Sequence, residues 1–171
     1  MSPIDLSEIE VFAMTASCHK WLGAGIGQAL FYLHPSVVKD LNPLIWGWTS
    51  FEDYLNLDNT TMKLRQEASI VEVGSLPFEH VVSIAAAAEV VQEIGIEKIE
   101  ERILKLSDYF YSELSKMKVE IVTVRKWREH NSGIITFKPL NSTAEEVSEK
   151  LAKEKIYINS RRGHLRVSIS F

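Results

Sequence analysis

Three side chains that could do nucleophilic or acid–base chemistry lie close together near the start of the chain: Ser17, His19 and Lys20. An apolar run precedes them, and alternate glycines over residues 23–27 lead into a second apolar run. A lysine at the end of a buried strand can lose contact with water, which lowers its pKa and frees its amine for attack on a carbonyl. The pattern therefore predicts a lysine suited to Schiff-base formation, and a lysine solvated in a turn is the alternative.

Two adjacent arginines, Arg161 and Arg162, precede Gly163 near the other end of the chain. Paired guanidinium groups in a glycine turn are suited to holding a carboxylate through parallel hydrogen bonds. Solvated arginines are the alternative for this stretch taken alone. Nucleic-acid binding is a weaker alternative, because few aromatic residues lie nearby and the net charge of the chain is −4.

Composition limits the classes of protein to which the chain can belong. Its 171 residues are 46% hydrophobic and 25% charged, which is typical of one globular soluble domain or of part of a larger one. The negative net charge predicts no general attraction to nucleic acid, and no apolar run is long enough to cross a membrane. The single cysteine excludes an internal disulfide and a cysteine-based metal cluster, and it fits a cytoplasmic location.

The elements that would position the lysine are two strands, predicted at about 9–14 and 29–33 and joined by the glycine turn. The second strand is apolar on both faces, which is typical of a sheet covered on both sides. A short helix or turn follows from Pro35 to Leu41. We interpret the aromatic-rich stretch 44–62 as lining a cleft or an interface, and a surface loop held by its aromatic residues is the alternative.

Two helices are predicted in the middle of the chain. The first covers about 77–94, with Pro77 in its first turn, Ser75 available as its cap and Gly95 at its end. The second covers about 96–117 and connects a larger domain to a smaller one. Its apolar face has the spacing of a helix that packs on a core: Ile99, Ile103, Leu106, Phe110 and Leu114.

The last part of the chain has the pattern of short strands, predicted at 120–124, 133–138, 156–158 and 165–170. Between the second and third of these, a helix runs to about Lys153 and begins with a capping box formed by Ser142 and Glu145. This β-β-α-β order predicts an antiparallel sheet with a helix on one face.

The stretch Ser17-Cys18-His19-Lys20-Trp21-Leu22-Gly23, with an apolar strand on either side, resembles the pyridoxal-phosphate segment of class V aminotransferases. That family includes cysteine desulfurases and isopenicillin N epimerase-like proteins. The resemblance continues in order through Glu72-Val73-Gly74-Ser75, before an alanine-rich helix, to an arginine turn and an Arg-Val-Ser strand at Arg166. It implies an α/β fold: residues 1–95 as the end of a fold type I large domain, and residues 96–171 as a small α+β domain with an antiparallel sheet and helices.

The resemblance also implies roles for the residues near the lysine. Lys20 would form the Schiff base with pyridoxal phosphate, and Ser17 and His19 would bind the phosphate of this cofactor. Ser75 would reach the phosphate of the cofactor in the other subunit of a homodimer. Capping of the following helix is the alternative role for Ser75, and the two interpretations stay open.

For the substrate, the resemblance implies that Arg162 holds the α-carboxylate of an amino acid, with Arg161 as its rival, while Arg166 orders the strand. The implied reaction is that of an aminotransferase, epimerase or lyase. Desulfurase activity is disfavoured, because the one cysteine, Cys18, lies beside Lys20 and not in the arginine turn.

The resemblance covers only about the C-terminal half of a family member. It lacks the glycine-threonine phosphate loop, the residue that stacks on the pyridine ring and the aspartate that pairs with the ring nitrogen. The alternative function is therefore that of a non-catalytic truncated remnant, which serves as an interaction or dimerisation module. The expected protein partners are a second copy of the chain or a complementary N-terminal half.

Overall fold

The computed structural model describes residues 2–56, 60, 62–126 and 131–171. The chain forms two compact units: the first is Ile4–Val91, and the second is Gln92–Phe171 together with residues 2 and 3. Each unit has its own antiparallel sheet. The first contains strands β1 (Ala13–Ser17) and β2 (Ala29–Leu33), helix α1 (Pro35–Val38), the 3₁₀ helices Trp48–Ser50, Tyr54–Asn56 and Ala68–Val71, and most of α2 (Phe78–Ile94). The second contains α3 (Ile96–Leu114), β3 (Val119–Ile121), β4 (Ile134–Pro139), α4 (Ala144–Lys153), β5 (Asn159–Arg161) and β6 (His164–Ser168).

The predicted hairpin around the glycine turn is confirmed, because β1 and β2 pair as antiparallel strands with Ser17 opposite Ala29 and Ala13 opposite Leu33. The predicted start of β1 near residue 9 is wrong. The backbone N–H of His34 donates to the carbonyl of Phe12 at 2.8 Å. The residue after His34 is Pro35, which is the first residue of α1. The chain therefore leaves the sheet directly after His34, and β2 supplies no residue to pair with residues 9–11.

The expectation of a sheet covered on both sides is also wrong for the part of the chain that the structure describes. The sheet of the first unit has two strands, and the neighbouring β2 side chains of Leu30 and Phe31 are 50% and 46% exposed. Successive side chains of a strand point to opposite faces, so apolar surface is exposed on both faces of the hairpin.

Glycine separates the two long helices, as predicted. Gly95 has a φ of +91°, a conformation that glycine adopts without the steric cost of a side chain, and it lies between Ile94 and Ile96. The predicted core face of α3 is confirmed at its buried residues Ile99, Ile103 and Leu114. By contrast, α2 has no buried residue.

The second unit has a four-stranded antiparallel sheet in the order β3-β4-β6-β5. Its core is a cluster from the sheet and both helices: Leu114, Ile135, Phe137, Ala144 and Leu165. The predicted antiparallel sheet is therefore confirmed. Within the described ranges, no helix is both long and apolar enough to cross a membrane.

Two local predictions in this unit are wrong by a small shift. The capping box is formed by Thr143 and Glu146 rather than by the residue pair one position earlier, since the Thr143 hydroxyl accepts the backbone N–H of Glu146 at 3.1 Å. The third strand is Asn159–Arg161 and not 156–158, because Arg161 pairs with His164 across a two-residue turn.

Candidate functional site

A turn directly after β1 carries the predicted lysine. Cys18 fixes this turn, since its N–H donates to the carbonyl of Gln28 at 3.0 Å and its carbonyl accepts the N–H of Ala24 at 3.0 Å. The Cys18 side chain is only 1% exposed, whereas the side chains on either side of it lie outside. The alternation at the end of the strand thus buries the thiol and presents its polar neighbours to solvent.

Ser17, His19 and Lys20 are exposed in this turn. The predicted desolvation of Lys20 is therefore wrong for this chain by itself, because Lys20 is exposed. The three side chains have no hydrogen bond or ion pair to any other described residue. The turn accordingly places a hydroxyl, an imidazole and an amine within four residues, with all three groups available to a ligand.

Ser75 lies in the segment that leads into α2, and its side chain is exposed. No described group accepts or donates a hydrogen bond to its hydroxyl. The first turn of α2 is closed instead by the carbonyl of Pro77, which accepts the N–H of His80 at 2.8 Å. The alternative role of Ser75 as a helix cap is not observed, and its hydroxyl is free for another partner.

Ser75 also lines a cavity of about 330 Å³ in the first unit. Its walls include the Trp48 and Tyr54 rings, which meet edge to face with centroids 5.3 Å apart, and the guanidinium of Arg65, which lies 4.9 Å from the Tyr54 centroid. Two aromatic residues of the stretch 44–62, Trp48 and Tyr54, therefore line a cleft and also contact each other, so both interpretations of this stretch stay open; residues 57–59 and 61 lie outside the described residues.

The second group of predicted residues lies in the hairpin formed by β5 and β6. Arg162 and Gly163 are the two turn residues, with φ values of +51° and +75°. Two consecutive positive φ values are typical of the tight turns that join antiparallel strands. Arg161 and Arg162 are both exposed, and the Nδ1 atom of His164 lies 2.8 Å from the carbonyl oxygen of Arg162.

Arg166 has surroundings that the sequence interpretation missed. It lies in β6, opposite Thr136 of β4 and Asn159 of β5, and it is partly buried. Its Nε atom is buried and has no hydrogen-bond partner among the described residues. The expected ordering contacts are therefore absent, and this guanidinium has unused donor capacity. The alternation of β6, with Leu165 in the core, indicates only that Arg166 faces away from that core.

The structure thus brings the predicted residues together in two groups. Ser17, His19 and Lys20 share the turn after β1, within the same unit as Ser75, and the arginines share the β5–β6 hairpin of the other unit. The first group offers an amine and side chains that can donate hydrogen bonds to a phosphate. The second offers guanidinium groups, which suit a carboxylate.

Comparison with known proteins defines the class to which these features belong. The fold is that of the C-terminal part of fold type I enzymes dependent on pyridoxal phosphate. A solved structure described as a C-DES mutant, with glycine covalently linked to its PLP cofactor, superposes with a TM-score of 0.87 at 19% identity. That alignment covers 99% of this chain and 44% of the other.

The sequence model of the aminotransferase class V family matches residues 1–170, and the chain belongs to this family. It is 28% identical to an uncharacterised aminotransferase of Schizosaccharomyces pombe, over 99% of this chain and 43% of that protein. It is 23% identical to a cysteine desulfurase of Haloferax volcanii, over 92% of this chain and 36% of that protein. The chain therefore spans well under half the length of these relatives.

Proposed function

We propose that this chain is the lysine-bearing part of a pyridoxal-phosphate-dependent enzyme that acts on an amino acid, with Lys20 as the attachment point of the cofactor. The observation that carries the proposal is the turn after β1, where Ser17, His19 and Lys20 are exposed together. A lysine amine can condense with the cofactor aldehyde, and the neighbouring hydroxyl and imidazole can donate to its phosphate.

The chemistry of this donor set fits the cofactor. Ser17 and His19 would hold the phosphate of the cofactor attached to Lys20, and Ser75 would hold that of the cofactor in a second copy of the chain, because each has an uncommitted hydrogen-bonding group in the described chain. When bound, pyridoxal phosphate supplies an electron sink for a substrate carbanion. Lys20 would hold or move the proton at the substrate Cα, which is the role of a positioned amine in general acid–base catalysis.

For the substrate carboxylate, we place Arg166 ahead of Arg162 and Arg161. An arginine that is partly buried loses hydration, and its unpaired Nε gains more from a carboxylate than a fully solvated guanidinium does. Arg162 and Arg161 are exposed, so binding a carboxylate there would replace good water contacts. This support for Arg166 comes from burial and from missing partners within the described chain.

The buried cysteine bears on the type of reaction. Cys18 is the one cysteine of the sequence, and its sulfur lies 3.6 Å from the carbonyl oxygen of Ala16 in a site closed to solvent. A thiol must be accessible and ionised to attack a substrate sulfur. An aminotransferase, epimerase or lyase reaction therefore suits this chain better than a desulfurase reaction that uses its own cysteine.

Reductive trapping tests the proposal. Pyridoxal phosphate is added to the purified protein, borohydride is added, and the modified lysine is located by peptide mass spectrometry. We expect a yellow absorbance and one dominant label on Lys20, both lost in Lys20→Ala. Lys39→Ala is the matched control, because Lys39 is an exposed lysine of the same unit. Equal labelling of many lysines, with an unchanged spectrum in Lys20→Ala, would contradict the proposal.

The exposed apolar hairpin favours a second candidate function, that of an interaction module. An isolated two-stranded sheet is marginally stable in water, so exposed Leu30 and Phe31 favour a partner that covers them. The partner would be a second copy of the chain or a polypeptide that corresponds to the N-terminal part of the longer relatives. Co-purification with such a polypeptide from the source cell supports this candidate, and recovery of the chain alone contradicts it.

A further inference from the structure

Residues 47–50, here called the tryptophan loop, contact the segment Glu72–Ser75 that ends in the predicted phosphate ligand. A Cβ added to Gly47 would lie 1.9 Å from the carbonyl oxygen of Val73. Heavy atoms do not approach so closely, so only glycine allows the two backbones to cross here. The position of the Val73 peptide therefore depends on the tryptophan loop.

A side-chain hydrogen bond strengthens the same contact. The Thr49 hydroxyl donates to the carbonyl oxygen of Glu72 and lies 3.4 Å from the carbonyl oxygen of Gly74. These two carbonyls belong to the residues on either side of Val73, and the second of them directly precedes Ser75. One hydroxyl thus holds the backbone on either side of the crossing point, while Ser75 itself has no hydrogen-bond partner within the described residues.

The tryptophan loop is itself well anchored. Ser50 is fully buried, and its hydroxyl accepts the N–H of Gly47 at 3.2 Å. Its carbonyl accepts the N–H of Arg65 at 3.0 Å, and the Nε of Arg65 donates to the carbonyl of Phe51 at 3.2 Å. Because these bonds hold the tryptophan loop in place, the loop can fix the position of the more exposed segment that it contacts.

We propose that Thr49 is a positioning residue, which holds the Glu72–Ser75 backbone so that the Ser75 hydroxyl is presented to a phosphate. This inference rests on the proposed function, in which Ser75 binds the cofactor phosphate. In this role Thr49 acts through the two carbonyls that it contacts. Loss of its hydroxyl should loosen the segment and weaken phosphate recognition in the same way as loss of Ser75.

The test compares the affinities of the protein for pyridoxal phosphate and for pyridoxal, which lacks the phosphate. We expect the wild type to prefer pyridoxal phosphate, and Ser75→Ala and Thr49→Val each to lose about tenfold of that preference. Affinity for pyridoxal should stay unchanged in both variants. Thr49→Ser keeps the hydroxyl and should retain the preference, and the double variant should lose no more than either single one.

Hydrogen exchange gives a readout that needs no cofactor. Thr49→Val should speed exchange at Glu72, whose N–H donates to the carbonyl of Ser69 at 3.0 Å, while Thr49→Ser should not. If Ser75→Ala loses the preference and Thr49→Val keeps it, the inference is overturned and the proposed function stands. If Ser75→Ala also keeps it, Ser75 does not bind phosphate and the inference is overturned. If the wild type has no preference and Lys20 is not labelled, the proposed function fails and the inference fails with it.

Discussion

At the scale of single residues, a hydrogen bond ties the arginine hairpin to helix α4. The Ser160 hydroxyl donates to the carboxylate of Glu145 at 2.6 Å, and this bond lowers the pKa of Glu145 below its ordinary value. The charged form is favoured in the folded state. The stabilisation is therefore present above the ordinary pKa and is lost as the pH falls through the lowered one.

We expect Ser160→Ala to return the pKa of Glu145 toward its ordinary value, because the donor that favours the carboxylate is gone. An NMR titration of the Glu145 side chain measures this change. Ser160→Thr is the control, since it keeps a hydroxyl at the same position. An unchanged titration in Ser160→Ala would show that the hydrogen bond does not hold this carboxylate in solution.

Arg166 is the second residue with a measurable consequence. With the cofactor bound, we expect Arg166→Gln to weaken binding of an amino acid such as alanine by roughly tenfold to a hundredfold, the range for a lost hydrogen bond to a charged group. Calorimetric titration measures the affinity. Arg161→Gln and Arg162→Gln serve as controls and should change it little. A larger loss of affinity in either control would show that the arginine turn, and not Arg166, binds the substrate carboxylate.

At the scale of elements, the turn between β5 and β6 separates the backbone role of Arg162 from any role of its guanidinium. Gly163 has a φ of +75° and no atom within 4 Å of an added Cβ, so Gly163→Ala costs only backbone strain. We expect a loss of about 1–2 kcal/mol in the free energy of unfolding, measured by chemical denaturation. Arg162→Gly should be neutral or stabilising, because Arg162 also has a positive φ.

Retained stability in Gly163→Ala would indicate that the hairpin can adopt a different turn.

The two hairpins of the molecule show how far the sequence predicts structure. The glycine pattern near Lys20 is local, so the hairpin and the grouping of Ser17, His19 and Lys20 could be predicted. The start of β1 and the position of β5 depend on which residues face each other across a sheet, and pairing at a distance leaves no local signal.

The surroundings of the site residues were less predictable for a related reason. The unpaired Nε of Arg166 and the uncommitted hydroxyl of Ser75 are absences of contact, which only the folded chain reveals. The contact of Thr49 with Glu72 joins residues far apart in sequence. The predicted desolvation of Lys20 assumed a covered strand end, and the turn after β1 buries Cys18 but exposes Lys20.

At the scale of the whole molecule, the two units differ in how their buried side chains are arranged. The clustered core of Leu114, Ile135 and Leu165 lies in the second unit, where a four-stranded sheet packs on α3 and α4. The hairpin of the first unit has two strands and exposed side chains on both faces. Local stability follows apolar burial, so the hairpin should open far more often than the larger sheet.

Hydrogen exchange monitored by NMR or mass spectrometry measures this difference. We expect amides of β4 and β6 to exchange slowest, and those of β1 and β2 at least tenfold faster, because an opening that exposes little apolar surface costs little free energy. Leu165→Ala should remove about 2–5 kcal/mol from the protection of β4 and β6, since Leu165 is fully buried. A polypeptide that covers the hairpin should slow exchange in β1 and β2. Equal protection of both sheets in the isolated chain would mean that the hairpin is already covered, and that no partner is needed to complete it.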